Sequence, residues 1–134
     1  MTPGKDCIGV GCWGVVIKDN KEVLLVRKIG KNYWERPGGK VDFGEYSRES
    51  LIRELKEETG VEIKILYLQG IEEEILSEGN KHWVAFNYVA EYIGGKAERK
   101  EPEAHQEVGW FFLNELPDKI SQQTKKAIKK YLSK

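Results

Sequence analysis

The chain has 134 residues, of which 40% are hydrophobic and 33% are charged, and its 22 basic and 22 acidic side chains give a net charge of zero. This length predicts one domain, spanning residues 1–134, that buries a sizeable core. The neutral balance excludes a global field that would favour nucleic acid or a membrane surface, and no apolar run reaches the roughly 18 residues of a transmembrane helix.

The N-terminal segment carries no targeting signal. The stretch MTPGKDCIGVGCWGVV lacks the charged region and long apolar segment of a signal peptide. Cys7 and Cys12 are the only cysteines, and without a secretion signal we expect both to be reduced thiols in a cytoplasmic protein. His82 and His105 lie far from these cysteines in sequence and lack ligand spacing, so these residues do not predict a metal site.

Three glycines near the N-terminus spell G-x-G-x-x-G, a pattern typical of a dinucleotide-binding turn. Such a turn follows a strand and opens a helix, but Gly9, Gly11 and Gly14 lead into residues 15–17, whose β-branched side chains predict a strand. The glycines therefore indicate a bulge or a close backbone approach.

A second strand is predicted at residues 22–28 (EVLLVRK), joined to the first by a turn at residues 19–21. A polar loop at residues 30–33 leads into the run Trp34-Glu35-Arg36-Pro37-Gly38-Gly39. Pro37 restricts the backbone here, and the glycine pair permits conformations that are closed to other residues.

A helix follows, with Ser47 as its predicted N-cap and Gly60 at its C′ position. At 100° per residue, one flank is apolar and can lie on a sheet. It contains Leu51, Ile52 and Leu55.

The adjacent flank of this helix crowds three carboxylates together, those of Glu54, Glu57 and Glu58. Like charges at these spacings repel by roughly 0.2–0.5 kcal/mol per pair. A divalent cation would relieve the repulsion, and Mg²⁺, with Mn²⁺ as a substitute, suits a site of carboxylates, waters and substrate phosphates. A solvated, glutamate-rich helix face is the alternative.

The positions around these carboxylates complete a longer pattern. In order, it consists of Gly39, Glu45, Arg53, Glu54, Leu55, Glu57, Glu58, Gly60 and Val61. Residues 39–61 are thereby identified as a Nudix box, and the chain resembles the Nudix hydrolases. The resemblance implies hydrolysis of a phosphoanhydride bond in a nucleoside diphosphate linked to a further group X.

The second half of the chain predicts more strands and a closing helix. The strands are expected at residues 61–68, 71–76, 82–92 and 107–113, with a turn at residues 78–80 and a loop at residues 94–105. We therefore expect an α/β fold, with a mixed sheet flanked by the box helix and a C-terminal helix. The resemblance implies the same α/β/α sandwich.

The C-terminal helix is predicted from Asp118 onward, because apolar residues recur there at helical spacing. These residues are Ile120, Ala127, Ile128, Tyr131 and Leu132. Its outer face is lysine-rich, which we interpret as a solvated face, with a phosphate or RNA patch as the alternative.

The resemblance implies a metal shell on the box. Glu57 and Glu58 are the predicted ligands, followed by Glu54, and Gly39 matches the position whose carbonyl joins the shell. Arg53 lies one turn before Glu57 and predicts an i,i+4 pair that orients the carboxylate.

The catalytic set is predicted as Arg53, Glu54, Glu57 and Glu107. The general base is either Glu54 or a glutamate of the acidic segment at residues 101–107, where we favour Glu107 over Glu103. An ordinary charged loop is the alternative for either of these last two residues.

Glu45 is expected to be structural, capping exposed N–H groups at the helix entrance.

Base recognition requires a flat apolar surface. The substrate-binding candidates are Trp34, Arg36, Gly38 and Phe86, and Trp83 is a further aromatic residue on the same predicted strand as Phe86. Alternation along a strand keeps Trp83 and Phe86 from facing one pocket without a bulge. Core packing is the alternative for each aromatic residue.

The choice among Nudix reactions rests on absent signatures. ADP-ribose hydrolases of the family typically carry a proline some fifteen residues past the box, but this chain has no proline between Pro37 and Pro102. One group of dinucleoside polyphosphate hydrolases places a tyrosine in this region, where this chain has Leu76-Ser77-Glu78. The chain resembles the small MutT-like enzymes, which favours an NTP or dNTP cut to the monophosphate and pyrophosphate.

The alternatives are hydrolysis of ADP-ribose, a nucleotide sugar or a dinucleoside polyphosphate, and a non-catalytic nucleotide sensor. The expected partner is a small nucleotide, without a stable nucleic-acid complex or a membrane, and a homodimer is compatible with this interpretation.

Overall fold

The computed structural model describes residues 1–76 and 80–133. Within these residues the elements are β1 (Gly9–Lys18), β2 (Glu22–Lys28), β3 (Gly38–Lys40), α1 (Ser47–Thr59), β4 (Glu62–Leu76), β5 (Lys81–Gly94), β6 (His105–Phe112) and α2 (Gln122–Leu132). The helices of this part of the chain are too short or too polar to cross a membrane.

The strands form one mixed sheet in the order β4-β5-β1-β2-β6. β1 and β5 run parallel, and the other pairs are antiparallel. β3 pairs with Gly11–Trp13 of β1, whereas β2 pairs with β1 only at Ile17 and Lys18. The sheet is therefore open between β2 and the first half of β1, and Glu35 bridges to Val26 across this opening.

Two apolar clusters cover the two faces of the sheet. The first lies under α1 and contains Cys12, Val16, Leu24, Leu51, Leu55, Val61, Ile63, Tyr88 and Ala90. The second lies under α2 and contains Val15, Ile17, Val23, Leu25, Val89, Ala127 and Ile128. Alternation along β1 and β2 divides neighbouring residues between the two faces. The predicted α/β/α sandwich is confirmed.

Several predicted strand bounds change. The two strands expected at residues 61–68 and 71–76 are one strand, β4, which keeps pairing with β5 through register shifts at Ile65/Tyr67 and Leu68/Gly70. β3 was not predicted, because three residues carry too little pattern. The turn expected at residues 78–80 lies largely outside the described residues.

Both helix starts differ from prediction. The N-cap of α1 is Tyr46 rather than Ser47, and the Tyr46 amide donates to the Glu49 carboxylate at 3.1 Å. The end at Gly60 is confirmed, with φ of 77°. α2 begins at Gln122 rather than Asp118, because Ser121 caps it and Ile120 forms a bridge with Trp34 before the helix.

Close backbone approach explains the early glycines. Gly9, Gly11 and Gly14 lie inside β1, which keeps an unbroken register with β5. A Cβ on Gly14 would lie 3.0 Å from Leu51 of α1. The glycines thus let neighbouring groups approach the sheet, and they do not open a helix.

At Gly38 a side chain would clash with the backbone of β1. Its φ is +157°, and a Cβ there would lie 2.1 Å from the Cys12 carbonyl oxygen and 2.7 Å from Trp13 Cα. We expect Gly38→Ala to lower the free energy of unfolding by about 2–4 kcal/mol, because backbone must move to relieve the clash. Urea unfolding followed by tryptophan fluorescence measures this loss.

The control is Gly30→Ala, where φ is +83° and no atom lies within 4 Å of the added Cβ. This variant loses about 1–2 kcal/mol from left-handed backbone strain alone. Equal losses in the two variants would contradict the role assigned to the Gly38 contact.

Candidate active site

The polar side of α1 presents three glutamates, as the sequence predicts. Glu58 is 6% exposed, and the side chains of Glu54 and Glu57 are 19% and 52% exposed. The carboxylates therefore pass from buried to solvated along one flank of the helix.

Glu54 and Glu58 lie against each other. Burial, followed by the neighbouring Glu58 carboxylate, raises the pKa of Glu54 to about 8. Burial also raises the pKa of Glu58. Two carboxylates in contact and partly removed from water disfavour a second negative charge, so this pair holds a proton unless a cation compensates.

A turn outside the box brings two more groups to Glu58. The amides of Ala104 and His105 both donate to the Glu101 carbonyl at 2.9 Å. This turn places the ligand atoms of Glu58, Glu101 and His105 within 4.8 Å of one another. The long spacing in sequence therefore does not keep His105 away from the site, because His105 lies close to Glu58 in space.

His105 is buried, at 2% exposure, and its Nε2 lies 3.1 Å from Glu58 Oε1. The geometry of this contact is not that of a hydrogen bond, and both ring nitrogens lack a partner among the described residues. Burial and then the Lys28 ammonium lower the pKa of His105. The contact is therefore between a carboxylate and a neutral imidazole, which has a lone pair for a metal ion.

Arg53 contacts four carboxylates. Its guanidinium lies 2.9 Å from Glu45, 3.0 Å from Glu57, 3.1 Å from Asp42 and 3.3 Å from Glu54. These contacts raise the pKa of Arg53, led by the hydrogen bonds to Glu45. The predicted pair with Glu57 is confirmed, within a larger network.

Glu45 has a different role from the one predicted. Its carboxylate accepts hydrogen bonds from Arg53 and from Ser50 Oγ, and Glu49 caps the helix entrance instead. The hydrogen bonds from Arg53, and then that from Ser50, lower the pKa of Glu45 to about 2. Glu45 thus holds the guanidinium in place.

Gly39 lies directly against Glu54. A Cβ at this position would lie 3.0 Å from Glu54 Oε2. The Cys12 thiol donates to the Gly39 carbonyl at 3.6 Å, and burial raises the pKa of Cys12 to about 12. A side chain at this position would therefore press on the Glu54 carboxylate.

A cleft of about 180 Å³ lies at the opening of the sheet. Its lining includes Trp13, Lys28, Glu35, Arg36 and Trp83. Lys28 connects it to the carboxylates, because its charge acts on both Glu58 and His105. Among the described residues, Oε2 of Glu35 is buried without a partner, so a ligand N–H or O–H would satisfy it.

Arg36 is fixed at the wall of this cleft, with 7% exposure. Its Nη2 donates to Asn87 Oδ1 at 2.8 Å, and its Cζ lies 5.6 Å from the Trp13 ring centroid. Of the predicted substrate-binding residues, Arg36 is the one that the structure places in the cleft lining.

The remaining predicted substrate residues lie elsewhere. Trp34 packs edge-on against Phe111, with ring centroids 4.7 Å apart, and joins the second apolar cluster. Phe86 packs against the first cluster, and Gly38 is pressed against the β1 backbone. Trp83 instead lies in the cleft lining and contacts Trp13 edge-on at 6.4 Å.

Glu107 does not join the carboxylates. It forms an ion pair with Arg27, whose guanidinium lies over Trp34 on the α2 face. The strand register shifts between Arg27 and Lys28, so Glu107 pairs with Arg27 and His105 pairs with the next residue, Lys28. Glu103 is exposed. Glu101, which the sequence interpretation did not select, is the glutamate of this segment that reaches Glu58.

The arrangement fits a divalent cation. Three carboxylates and a neutral imidazole converge, two of the carboxylates have a raised pKa, and the imidazole nitrogens have no described partner. Oxygen donors of this kind suit a hard ion such as Mg²⁺ or Mn²⁺.

Comparison with known proteins gives consistent matches. A family model described as the NUDIX domain matches residues 8–131. An ADP-ribose pyrophosphatase of Methanocaldococcus jannaschii is 36% identical over 121 residues, covering 89% of this chain and 70% of that protein. A Nudix hydrolase of Bacillus subtilis without an assigned activity is 33% identical over 104 residues, covering 75% of this chain and 65% of that protein, less than two thirds of its length.

A solved structure gives the same result. The crystal structure of a MutT Nudix hydrolase from Burkholderia pseudomallei has a TM-score of 0.82 and 31% identity to this chain, and the match covers 91% of this chain and 96% of that one.

The Glu45–Arg53 contact predicts a pH-dependent contribution to stability. The pKa of Glu45 lies at about 2 in the folded protein, below its ordinary value of 4.5. Its stabilising effect is therefore complete above about pH 4.5 and is lost as the pH falls toward 2. We expect Glu45→Gln to be less stable than the wild type at pH 7, with a difference that narrows in this window.

Urea unfolding at a series of pH values measures this difference. The same substitution in an Arg53→Gln background serves as the control, because the partner charge is gone. A difference in stability between Glu45→Gln and the wild type that stays constant down to pH 2 would contradict a stabilising Glu45–Arg53 contact. So would an undiminished effect of Glu45→Gln in the Arg53→Gln protein.

Proposed function

The chain belongs to the Nudix hydrolase family, and from this premise we propose that it hydrolyses a phosphoanhydride bond in a nucleoside diphosphate linked to a group X, with Mg²⁺ as cofactor. Conversion of an NTP or dNTP to the monophosphate and pyrophosphate is the reaction we favour. The convergence of Glu58, Glu101 and His105, with Glu54 against Glu58, is the observation that carries this proposal. A bound cation would let the Glu54–Glu58 pair release the proton that it otherwise holds.

The metal shell that we propose combines the ligands predicted from the sequence with Glu101, from the turn that precedes β6. Glu57, Glu58 and Glu54 would hold the ion, with the Gly39 carbonyl and Glu101. The bound ion supplies neutralisation of phosphate charge and a lowered pKa for a bound water. Arg53 is a positioning residue, because its contact at 3.0 Å orients the Glu57 carboxylate.

We propose that Glu54 is the general base that accepts the proton of the attacking water. Its carboxylate lies against Glu58 and beside Gly39, within the proposed metal shell. Gly39 keeps the carboxylate oxygens free of side-chain contact from β3. Glu107, the other sequence-based candidate, forms its ion pair on the α2 face.

The substrate phosphates would lie at the junction of the carboxylates and the cleft. Lys28 and Lys31 are in the cleft lining, and ammonium groups bind phosphate as point charges. The nucleoside would extend toward Trp13, Trp83 and Arg36, where apolar ring surface adjoins a fixed guanidinium.

ADP-ribose is the second candidate substrate. The relative with 36% identity is an ADP-ribose pyrophosphatase, which favours this substrate class. The absence of a proline in the fifteen or so residues after the box favours the triphosphate instead.

A substrate panel tests the proposal. Release of pyrophosphate and phosphate is measured with Mg²⁺ and with Mn²⁺ on NTPs, dNTPs, ADP-ribose, nucleotide sugars and dinucleoside polyphosphates. Pyrophosphate from one or a few triphosphates would support the favoured reaction, and AMP from ADP-ribose alone would replace it with the second. Nucleotide binding without turnover on any compound would favour a sensor.

Glu57→Gln is expected to lower kcat by at least about 100-fold while leaving the melting temperature unchanged, because the lost charge lies on a proposed metal ligand at the surface. Turnover of the best panel substrate and thermal unfolding provide the two measurements.

The matched control is Glu62→Gln. Glu62 has the same 52% side-chain exposure as Glu57 and also faces a cation, Lys56. A Glu57→Gln enzyme with most of its activity, or equal losses in both variants, would remove Glu57 from the metal shell.

A further inference from the structure

A second cavity, of about 500 Å³, lies between α2 and the β4–β5 pair, on the face opposite to α1. It shares Arg36 and Gln123 with the cleft described above. The buried Arg36 guanidinium therefore lies in the wall of both spaces.

The walls of the cavity are held by hydrogen bonds. The Arg36 amide donates to Thr124 Oγ1 of α2 at 2.8 Å, and Gln69 Nε2 donates to the Ala127 carbonyl at 2.9 Å. Lys130 Nζ donates to the Gln69 carbonyl, also at 2.9 Å. The strand irregularity at Leu68/Gly70 puts Gln69 at this wall. The cavity is thus pre-formed.

Positive charge dominates the lining. Arg36, Lys126, Lys129 and Lys130 face the cavity, with Glu72 as the acidic residue of the lining. Among the described residues, Nε of Arg36 is buried without a hydrogen-bond partner. Within the same residues, the ammonium groups of Lys126 and Lys129 make no ion pair. A buried, incompletely paired guanidinium beside free ammonium groups attracts an anion.

We propose that this cavity is an anion-binding subsite that holds a phosphate-bearing part of the substrate, remote from the bond that is cut. The proposal rests on the proposed function, because the cleft that shares Arg36 and Gln123 with the cavity is the one assigned to the nucleotide. It gives the lysine-rich side of α2 a binding role in place of the solvated face expected from the sequence. A substrate that fills the subsite carries phosphate both at the scissile anhydride and at a second place, as a dinucleoside polyphosphate of the proposed class does, whereas an NTP or dNTP would leave the subsite empty.

Inorganic phosphate is the probe, because it is independent of the base and needs no metal. Amide and side-chain signals of ¹⁵N-labelled protein are followed during a phosphate titration in the presence of a chelator. We expect saturable shifts at α2 residues 123–130 and at the Asn87 side chain. The double variant Lys126→Ala/Lys129→Ala is expected to raise the phosphate Kd about tenfold or more.

Lys125→Ala is the matched control. Lys125 lies on the same helix and is exposed, but it is outside the cavity lining. It should change the phosphate Kd by less than about twofold. Shifts that do not saturate, or equal losses in Lys125→Ala and in the double variant, would show unspecific charge attraction and overturn the proposal.

Turnover separates this proposal from the proposed function. With a panel substrate that carries phosphate at a second place, such as a dinucleoside polyphosphate, the double variant should raise KM and leave kcat within about twofold, because the subsite binds away from the reacting atoms. A fall in kcat at unchanged KM would overturn the subsite. Absence of turnover with saturable phosphate binding would overturn the proposed function and retain the anion site.

Discussion

One guanidinium makes the acidic site compatible with a folded helix. Arg53 meets carboxylates from the loop before α1, at Asp42 and Glu45, and from α1 itself, at Glu54 and Glu57. Without it, α1 would place its glutamates in mutual repulsion beside an acidic loop. With it, the loop and the helix share a counter-charge, which fixes the entrance of α1 relative to Gly39. The orientation of the Glu45, Glu54 and Glu57 carboxylates depends on this contact.

The opening in the sheet is the second constraint. Because β3 occupies the edge of the first half of β1, β2 pairs with β1 only at its end. The run that contains Glu35 and Arg36 passes through the opening and is fastened to Val26 on one side and to Thr124 on the other. The α1 face, where the carboxylates lie, and the α2 face thus communicate at one place, and charged side chains line it.

The sequence was most informative where spacing along one element decides the geometry. The helical period was sufficient to place Glu54, Glu57 and Glu58 on one flank and Leu51 and Leu55 on another. The lining of the site beyond the helix depends on contacts between distant segments. Glu101 and His105 reach Glu58 through a tight turn and a strand irregularity, neither of which has a periodic signal. Trp34 was selected because it precedes the glycine pair, but strand pairing turns its ring toward Phe111.

Cys12 illustrates how the fold controls the chemistry of a side chain. Its thiol is fully buried in the apolar cluster under α1 and donates to the Gly39 carbonyl, and burial raises its pKa to about 12. At neutral pH only roughly one molecule in 10⁵ carries the reactive thiolate. Alkylating reagents and mild oxidants therefore reach this sulfur only when α1 or β3 separates from β1. The rate at which Cys12 is modified therefore measures local opening near Gly39, the backbone position beside Glu54, and this measurement needs no substrate.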